Sequence, residues 1–414
     1  MSWEKKTLGE LCHIEKGKIG IKKATPGEYP LVVTAEERLS HNEYHFEGNA
    51  VIIPVVSSTG HGHASLKRIH FQSGKFAVGN ILCVVMPKDE SVLRADYLYR
   101  FLYLNKEKEL VSRMKGMANV TLPVKEITKI EIPVPPLEKQ VEFVKEYSDL
   151  EEKSNDLDEE IAQQLTLVNQ LRQTFLKEAM QGELVPQDPN VEPALILLEK
   201  IKQETARLIK ERKIKKPKPI LPISADEIPF KIPDSWVWCR LGEIIRISSG
   251  DGLTAAQMDN DGSIPVYGGN GINGYHNEFN LEKETIVIGR VGFYCGCVHL
   301  TENKAWVTDN AFKVNYIEEF IHREFLIKLL TWADLGKQQF AGSQPVISGI
   351  RVYPKLIPIP PLSEQRQIVS KLDELMRYCD KLETSINNSQ HQNEYLLRQV
   401  LKESLDSRED ILAV

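Results

Sequence analysis

The nonapeptide IPVPPLEKQ begins at Ile132 and nearly repeats, 225 residues later, as IPIPPLSEQ from Ile357. Each time an apolar, strand-like run meets two prolines and then a helix start. Proline drives its predecessor out of helical geometry, so the phrase closes one unit before the next element begins. The echo extends upstream. WEKKTLGEL from Trp3 returns as WVWCRLGEI from Trp236, EYHFEGNAVII from Glu43 as EFNLEKETIVI from Glu278, and ADYLYRFL from Ala95 as REFLIKLL from Arg323. A chain of 414 residues exceeds one ordinary domain. Two copies of one unit is the economical reading, and a long internal repeat fixes architecture before any detail does.

Inside each copy the runs AVIIPVV, ILCVVMP and TIVIGRVG lie between Gly- and Asn-rich turns and predict strands. A short amphipathic helix is expected at Ala95 and at its counterpart. After the prolines the period changes. Ser363 is placed to cap the new helix, and Glu138 and Glu364 suit the positive end of its dipole. A heptad pattern follows, twice. One seam line comprises Phe143, Leu150, Leu157, Gln164 and Leu171, and the other Tyr147, Ser154, Ile161, Val168 and Phe175. Displaced by 225, the second copy has Ile368, Leu375, Leu382, Ser389 and Leu396 with Leu372, Cys379, Ile386, Asn393 and Val400. Sustained spacing of this kind predicts a coiled-coil seam, with polar Gln164 and Asn393 setting register. Each helix would be about 60 Å long, and each is the natural partner of the other.

These patterns divide the chain into a mixed domain at 1–137, a long helix at 138–180 and a linker at 181–230. A second mixed domain at 231–362, a second long helix at 363–405 and a tail at 406–414 complete it. The linker contains a predicted helix, EPALILLEKIKQETARLIKERK, and a basic, proline-rich stretch, KIKKPKPILP, that reads as a solvated spacer. The fold class is therefore α+β: two mixed domains separated by two long helices packed as an antiparallel coiled coil, with a pseudo-twofold repeat.

Catalytic signals are missing. The residues around the double prolines are Val134 and Leu137, or Ile359 and Leu362, where an adenine methyltransferase motif needs a polar residue before and an aromatic after. YGGNGINGY from Tyr267 is Gly-rich, but it lacks a Walker lysine and a strand–loop–helix context. The motifs CGCVH (Cys295 to His299) and HGH (His61 to His63) have no second pair at zinc spacing, which leaves metal none. Six scattered cysteines fit a reducing compartment, and no apolar run approaches a membrane span, so a cytoplasmic protein is expected. Net charge is −6, unevenly spread. Residues 1–137 carry 19 basic and 15 acidic side chains, residues 231–362 carry 12 and 14, and the two helical stretches together are −9. Acid on the helices suits protein partners; a DNA face would need local basic clusters.

The two W…LGE openings, YGGNGINGYHNEF, TIVIGRVGFYCG, GSQPVISG and IPIPPLSEQRQIVSKLDEL together resemble the DNA-specificity subunit of type I restriction-modification systems. The linker phrase FLKEAMQGELVPQDPNVEPALILLEKI is similar to that family as well, and the first copy departs more, with GMANVTLP in place of AGSQPVIS. The resemblance implies two target recognition domains, each reading one half of a bipartite, asymmetric double-stranded DNA target, held apart by conserved spacer helices. It implies a non-enzymatic scaffold for two methyltransferase subunits and for restriction/translocase subunits in phage defence. No cofactor is expected on this chain; S-adenosylmethionine, ATP and magnesium would sit on the partners. The alternative is a coiled-coil adaptor without sequence-specific DNA binding. Expected DNA contacts are Lys67, Arg68, Lys75, Arg113, Lys115 and Asn119 in the first domain. In the second they are Asn270, Asn273, Arg290, Tyr294, Lys304, Gln338 and Gln344.

Overall fold

The computed structural model describes residues 3–59, 63–117, 119–217, 219–259, 261–336 and 346–406. The chain divides into two compact units, Met1–Gln163 with Ile386–Val414, and Gln164–Ser385. Each therefore contains one mixed domain and a stretch of both long helices, a division that cuts across the segment borders suggested by sequence.

Unit 1 opens with β1 (Lys5–Thr7), a one-turn α1 (Leu8–Leu11) and β2 (Cys12–Lys16). It continues through β3 (Tyr29–Val32), β4 (Leu39–His41), β5 (Phe46–Glu47), β6 (Ala50–Pro54), β7 (His70–Gln72), β8 (Lys75–Val78) and β9 (Leu82–Pro87). Helices α2 (Ala95–Leu104), α3 (Lys106–Glu109) and α4 (Val124–Ile127), then β10 (Glu131–Pro133), lead into α5 (Leu137–Gln181). The strands form sheets ordered β2–β9–β6–β7 and β4–β3–β8–β5, and β1 pairs with β10. The β-branched run of β6 is buried along its whole length between them. Tyr97, Leu98 and Leu102 of α2 join Val51, Ile53 and Val85 in one core, each such burial contributing about 1.5–3 kcal/mol.

Unit 2 follows the linker helix α6 (Ala194–Lys210) with β11 (Val237–Arg240), α7 (Leu241–Ile244), β12 (Ile245–Ser249), β13 (Ile264–Gly268) and β14 (Gly271–His276). Then come β15 (Ile286–Gly289), β16 (Val298–Leu300), β17 (Trp306–Val307), β18 (Ala311–Tyr316), α8 (Arg323–Ala333), α9 (Gly349–Val352), β19 (Leu356–Ile359) and α10 (Leu362–Asp406). The sheets run β12–β18–β15–β16 and β14–β13–β17, with β11 on β19. This is the topology of unit 1, strand for strand, apart from β5. The agreement reaches single hydrogen bonds. The parallel pair β3/β8 is closed by Gly79 N–H donating to Val32 O at 2.9 Å, and β13/β17 by Thr308 N–H donating to Tyr267 O at 2.9 Å. Gly17 and Gly250 follow β2 and β12 so tightly that a Cβ would lie 2.1 Å and 2.2 Å from the carbonyl oxygens of Gly79 and Val307.

Both long helices start directly behind the prolines, at Leu137 and Leu362, so Ser363 lies inside the first turn rather than capping it. A buried glutamine ties each joint together. Gln140 Nε2 donates to Pro135 O at 2.9 Å and Val92 O at 2.8 Å, and its Oε1 accepts from Arg94 N–H at 2.9 Å. In unit 2, Gln365 Nε2 donates to Pro360 O at 3.1 Å while Oε1 accepts from His322 N–H at 2.8 Å. Arg94 and His322 are the N-cap residues of α2 and α8. One carboxamide thus binds the domain's own helix to the start of the long one, and this is why the phrase is written twice. Glu364 adds a buried carboxylate that accepts from Trp236 Nε1 at 3.0 Å and Gln187 Nε2 at 2.5 Å; burial raises its pKa.

The helices pair in antiparallel sense within each unit. In unit 1, Asn393 Nδ2 donates to Ser154 Oγ at 3.2 Å, and Leu397, like Leu150, packs against the cluster that contains Phe143 and Tyr147. In unit 2, Arg172 bonds Asp380 at 2.7 Å and Glu383 at 2.6 Å, and Leu176 and Met180 share a core with Ile368 and Leu372. One predicted seam line holds: Tyr147, Ser154, Ile161, Val168, Leu372 and Cys379 are buried, and Phe175, Ile386 and Asn393 half-buried. Val400, the last member of that line, is exposed. The other line holds only through Phe143 and Leu150, and through Ile368 and Leu375. Leu157, Leu171, Leu382 and Leu396 are 40–57% exposed, and Gln164 and Ser389 are exposed too. The protected line steps over by one residue, to Asp158, Leu165 and Arg172 in α5 and to Glu383, Gln390 and Leu397 in α10. A straight helix of 3.6 residues per turn drifts about 20° per heptad, and one 11-residue interval absorbs the drift. The step occurs at the same place in both helices.

The linker is solvated but held. Arg240, 7% exposed, donates to Leu221 O at 3.3 Å and Pro222 O at 3.2 Å and pairs with Glu227 at 2.8 Å. Among the described residues no helix is long and apolar enough to cross a membrane.

Candidate nucleic-acid interface

Strand direction sorts the expected contact residues. In unit 1 the 55–69 loop leaves β6 at Pro54 and returns at His70, opposite Ile52. The turn at Ser73 and Gly74 lies at the other end of these strands, beside Ala50. Lys67 and Arg68 thus belong to one end of the sheet and Lys75 to the other. Unit 2 repeats this: Arg290 and Tyr294 lie in the 290–297 loop, and Lys304 in the opposite connection between β16 and β17. The loop after β6 bridges to Thr121 through Val56, and the loop after β15 bridges to Val346 through Val291. This shared bridge brings Lys115 and Asn119 alongside the Lys67 loop.

Several of the basic side chains in unit 1 already have carboxylate partners. Arg68 pairs with Glu36 at 3.0 Å, Arg113 with Glu109 at 3.2 Å, and Lys115 with Glu126 at 3.0 Å. Lys67 is exposed, its N–H donating to Ser58 Oγ at 2.8 Å, and Asn119 is exposed. Lys75 stands 4.8 Å over the Tyr44 ring. Beneath the loop, Arg38 donates to Gln72 Oε1 at 3.1 Å and lies 3.1 Å from His70 Nδ1. Burial, with Arg38 and Arg68 nearby, pulls the His70 pKa down to about 4, so the ring is neutral at pH 7. By register with β6 and β15, His299 occupies the same position in unit 2, and burial lowers its pKa as well.

In unit 2, Asn270 is exposed in the β13–β14 turn and Asn273 in the first half of β14. The seat of the Asn273 carboxamide exists because Gly268 has no side chain: a Cβ there would lie 1.9 Å from Asn273 Nδ2. Arg290 Nη1 donates to Asp309 O at 3.2 Å, and its guanidinium lies 5.4 Å over the Phe312 ring. Lys304 lies 5.7 Å over the Phe279 ring. Gln338 and Gln344 fall outside the described residues, as do His61 and parts of GMANVTLP and AGSQPVIS. Cys295 is buried and Cys297 half-buried where the loop enters β16. Among the described residues no group of three His, Cys, Asp or Glu side chains could hold a metal ion. Sequence reasoning missed Gln140 and Gln365, although their recurrence inside the repeated phrase was a signal. It also missed Phe293 and Asn310, which line the same depression as Asn270 and Asn273.

Comparison with known proteins follows the repeat. The family model described as type I restriction modification DNA specificity domain matches residues 1–167 and 233–389. The specificity subunit of the type I restriction enzyme EcoAI from Escherichia coli is 33% identical over 247 residues, 54% of this chain and 42% of that protein. The EcoDI specificity subunit, also from Escherichia coli, is 23% identical over 412 residues, 94% of this chain and 84% of that protein. The match to EcoAI, like that to EcoEI, thus spans less than half of the relative. A chain solved in work on assembly and conformational transition of the type I restriction-modification system shares the fold, with TM-score 0.65 and 16% identity over 98% of this chain and 97% of that one. The HsdS subunit from Thermoanaerobacter tengcongensis gives TM-score 0.52 and 16% identity over 98% and 96%. Both repeats lie inside the matched residues, and the chain belongs to the family of type I restriction modification DNA specificity domains.

Proposed function

We propose that this chain is the DNA-specificity subunit of a type I restriction-modification complex, with each mixed domain reading one half of a bipartite, asymmetric target. The observation that carries the reading is the duplicated topology, in which the same strand pairings recur and each copy runs through a Pro-Pro joint into a 45-residue helix. A reader needs a stiff framework with variable loops, and equal frameworks can hold unrelated specificities. The helices carry the acidic surplus and suit protein partners: two methyltransferase subunits and the restriction/translocase subunits. Methyl transfer and DNA cleavage would belong to those partners, together with S-adenosylmethionine, ATP and magnesium; this chain would be non-catalytic and cytoplasmic.

The test is to purify the full chain with its methyltransferase subunit and map methylated adenines in plasmid DNA. One motif of two fixed half-sites around an unspecified gap is expected, with no methyl transfer by the chain alone. A complex that assembles but modifies or binds DNA without sequence preference would instead favour a coiled-coil adaptor.

A further inference from the structure

Unit 2 presents two aromatic side chains at the tip of the 290–297 loop: Phe293 is 77% exposed and Tyr294 51%, their rings edge-to-face at 5.1 Å. They border a depression of about 260 Å³ that Asn270, Asn273 and Asn310 also line. The loop is held firmly. A Cβ on Gly289 would lie 2.1 Å from Gly269 O, and one on Gly269 would lie 2.3 Å from Val291 O, so these glycines let two backbones touch. Arg290 N–H donates to Asn310 O at 2.8 Å, and Ile347 N–H to Arg290 O at 2.8 Å. An exposed phenylalanine on a braced loop beside three asparagines matches the chemistry of a nucleobase: a π face for the ring and donor–acceptor edges for the amides.

Resting on the reading above, we infer that this depression is where unit 2 contacts bases, with Phe293 stacking at one base step and Asn273, with Asn270 or Asn310, reading an adenine there. A carboxamide is the side-chain group that pairs in bidentate fashion with adenine N6 and N7 in the major groove. In a duplex, an aromatic side chain stacks by wedging into a base step and partly unstacking it, at a cost that the added contact offsets. The described residues lining the depression include no cation, so phosphate contact is left to Arg290 and more distant basic side chains.

The experiment uses the full chain assembled with its methyltransferase subunit and duplexes of the mapped target, with 2-aminopurine placed in turn at each base neighbouring an adenine of the second half-site, so that the N6 group of the read adenine stays in place. With the wild-type complex, binding should change the fluorescence at one position. Phe293→Ala should abolish that change and weaken binding about tenfold, the usual scale for one stacked base. Asn273→Ala should relax one position of the second half-site, with the first half-site unchanged. Both residues are exposed, so assembly and melting temperature should match wild type. If the wild-type complex keeps its bipartite motif while both variants leave fluorescence, affinity and motif untouched, the inference is wrong and the specificity-subunit reading survives. If the wild type shows no motif, that reading falls first. If Phe293→Ala prevents assembly with the methyltransferase, the tip is a protein-docking element and the inference is overturned.

Discussion

At the end of β6 unit 1 carries Pro54, and at the matching end of β15 unit 2 carries Gly289; after β3 stand Val33 and Thr34, where the matched positions in unit 2 are Gly268, the last residue of β13, and Gly269. The strands leading to these ends pair in the same register, apart from a shift between Val266 and Tyr267 where β13 meets β14. Past them, unit 1 continues into a 15-residue loop with Lys67 and Arg68, and unit 2 into an eight-residue loop with Phe293 and Tyr294 packed against a glycine seat. The difference teaches where each part of the molecule is constrained. Core strands must satisfy their backbone groups and bury their β-branched faces, so they keep one solution. Strand ends face water, where basic and aromatic loops are equally compatible with the framework beneath them.

The comparison can be broken hardest at the joints. Gln140→Ala should destabilise unit 1 by about 3 kcal/mol and Gln365→Ala unit 2 by about 2 kcal/mol, measured by urea unfolding of the full chain. Gln140 is expected to cost more because three buried backbone groups lose partners, against two for Gln365. Equal or negligible losses would mean the joints are not the shared fastening described above.

Protonation of the matched histidines comes next. A folded pKa lowered from 6.5 to about 4 means that the unfolded chain binds the His70 proton more readily. Stability from this group is therefore complete above pH 6.5 and is lost as pH falls toward 4, by up to about 3 kcal/mol. His299 shifts in the same direction through burial alone, without the two arginines that flank His70. His70→Gln should flatten the urea-unfolding free energy against pH across that window more than His299→Gln does.

Gly289→Val should cost unit 2 about 1–3 kcal/mol by overpacking against Gly269 O. At the matching site unit 1 already accommodates a ring, so Pro54→Val should not show the same backbone clash, and thermal melting of the two variants tests the contrast. The smallest effect belongs to Arg172, whose counterpart on α10 is the packed Leu397. Its bonds to Asp380 and Glu383 sit near solvent, and Arg172→Met should cost only about 0.2–1 kcal/mol, less still in high salt.

The sequence by itself determined the duplication, the mixed character of each domain, the two long helices and the abrupt change of period at the prolines. Those features are local, or are carried by identical spacing, and so survive in a one-dimensional pattern. The tertiary structure decided the rest. A heptad template placed Leu157, Leu171, Leu382 and Leu396 in the seam, because residue type and spacing do not reveal how a straight helix rotates its stripe past a partner. His70 and His299 lie 229 residues apart while the joints lie 225 apart, so unequal loops hid their equivalence until strand register showed it. The glutamines of the joint were visible as letters, but their partners at Arg94 and His322 are more than 40 residues away along the chain. Burial, register and long-range hydrogen bonding arise only when distant segments meet, and only the folded chain specifies which segments do.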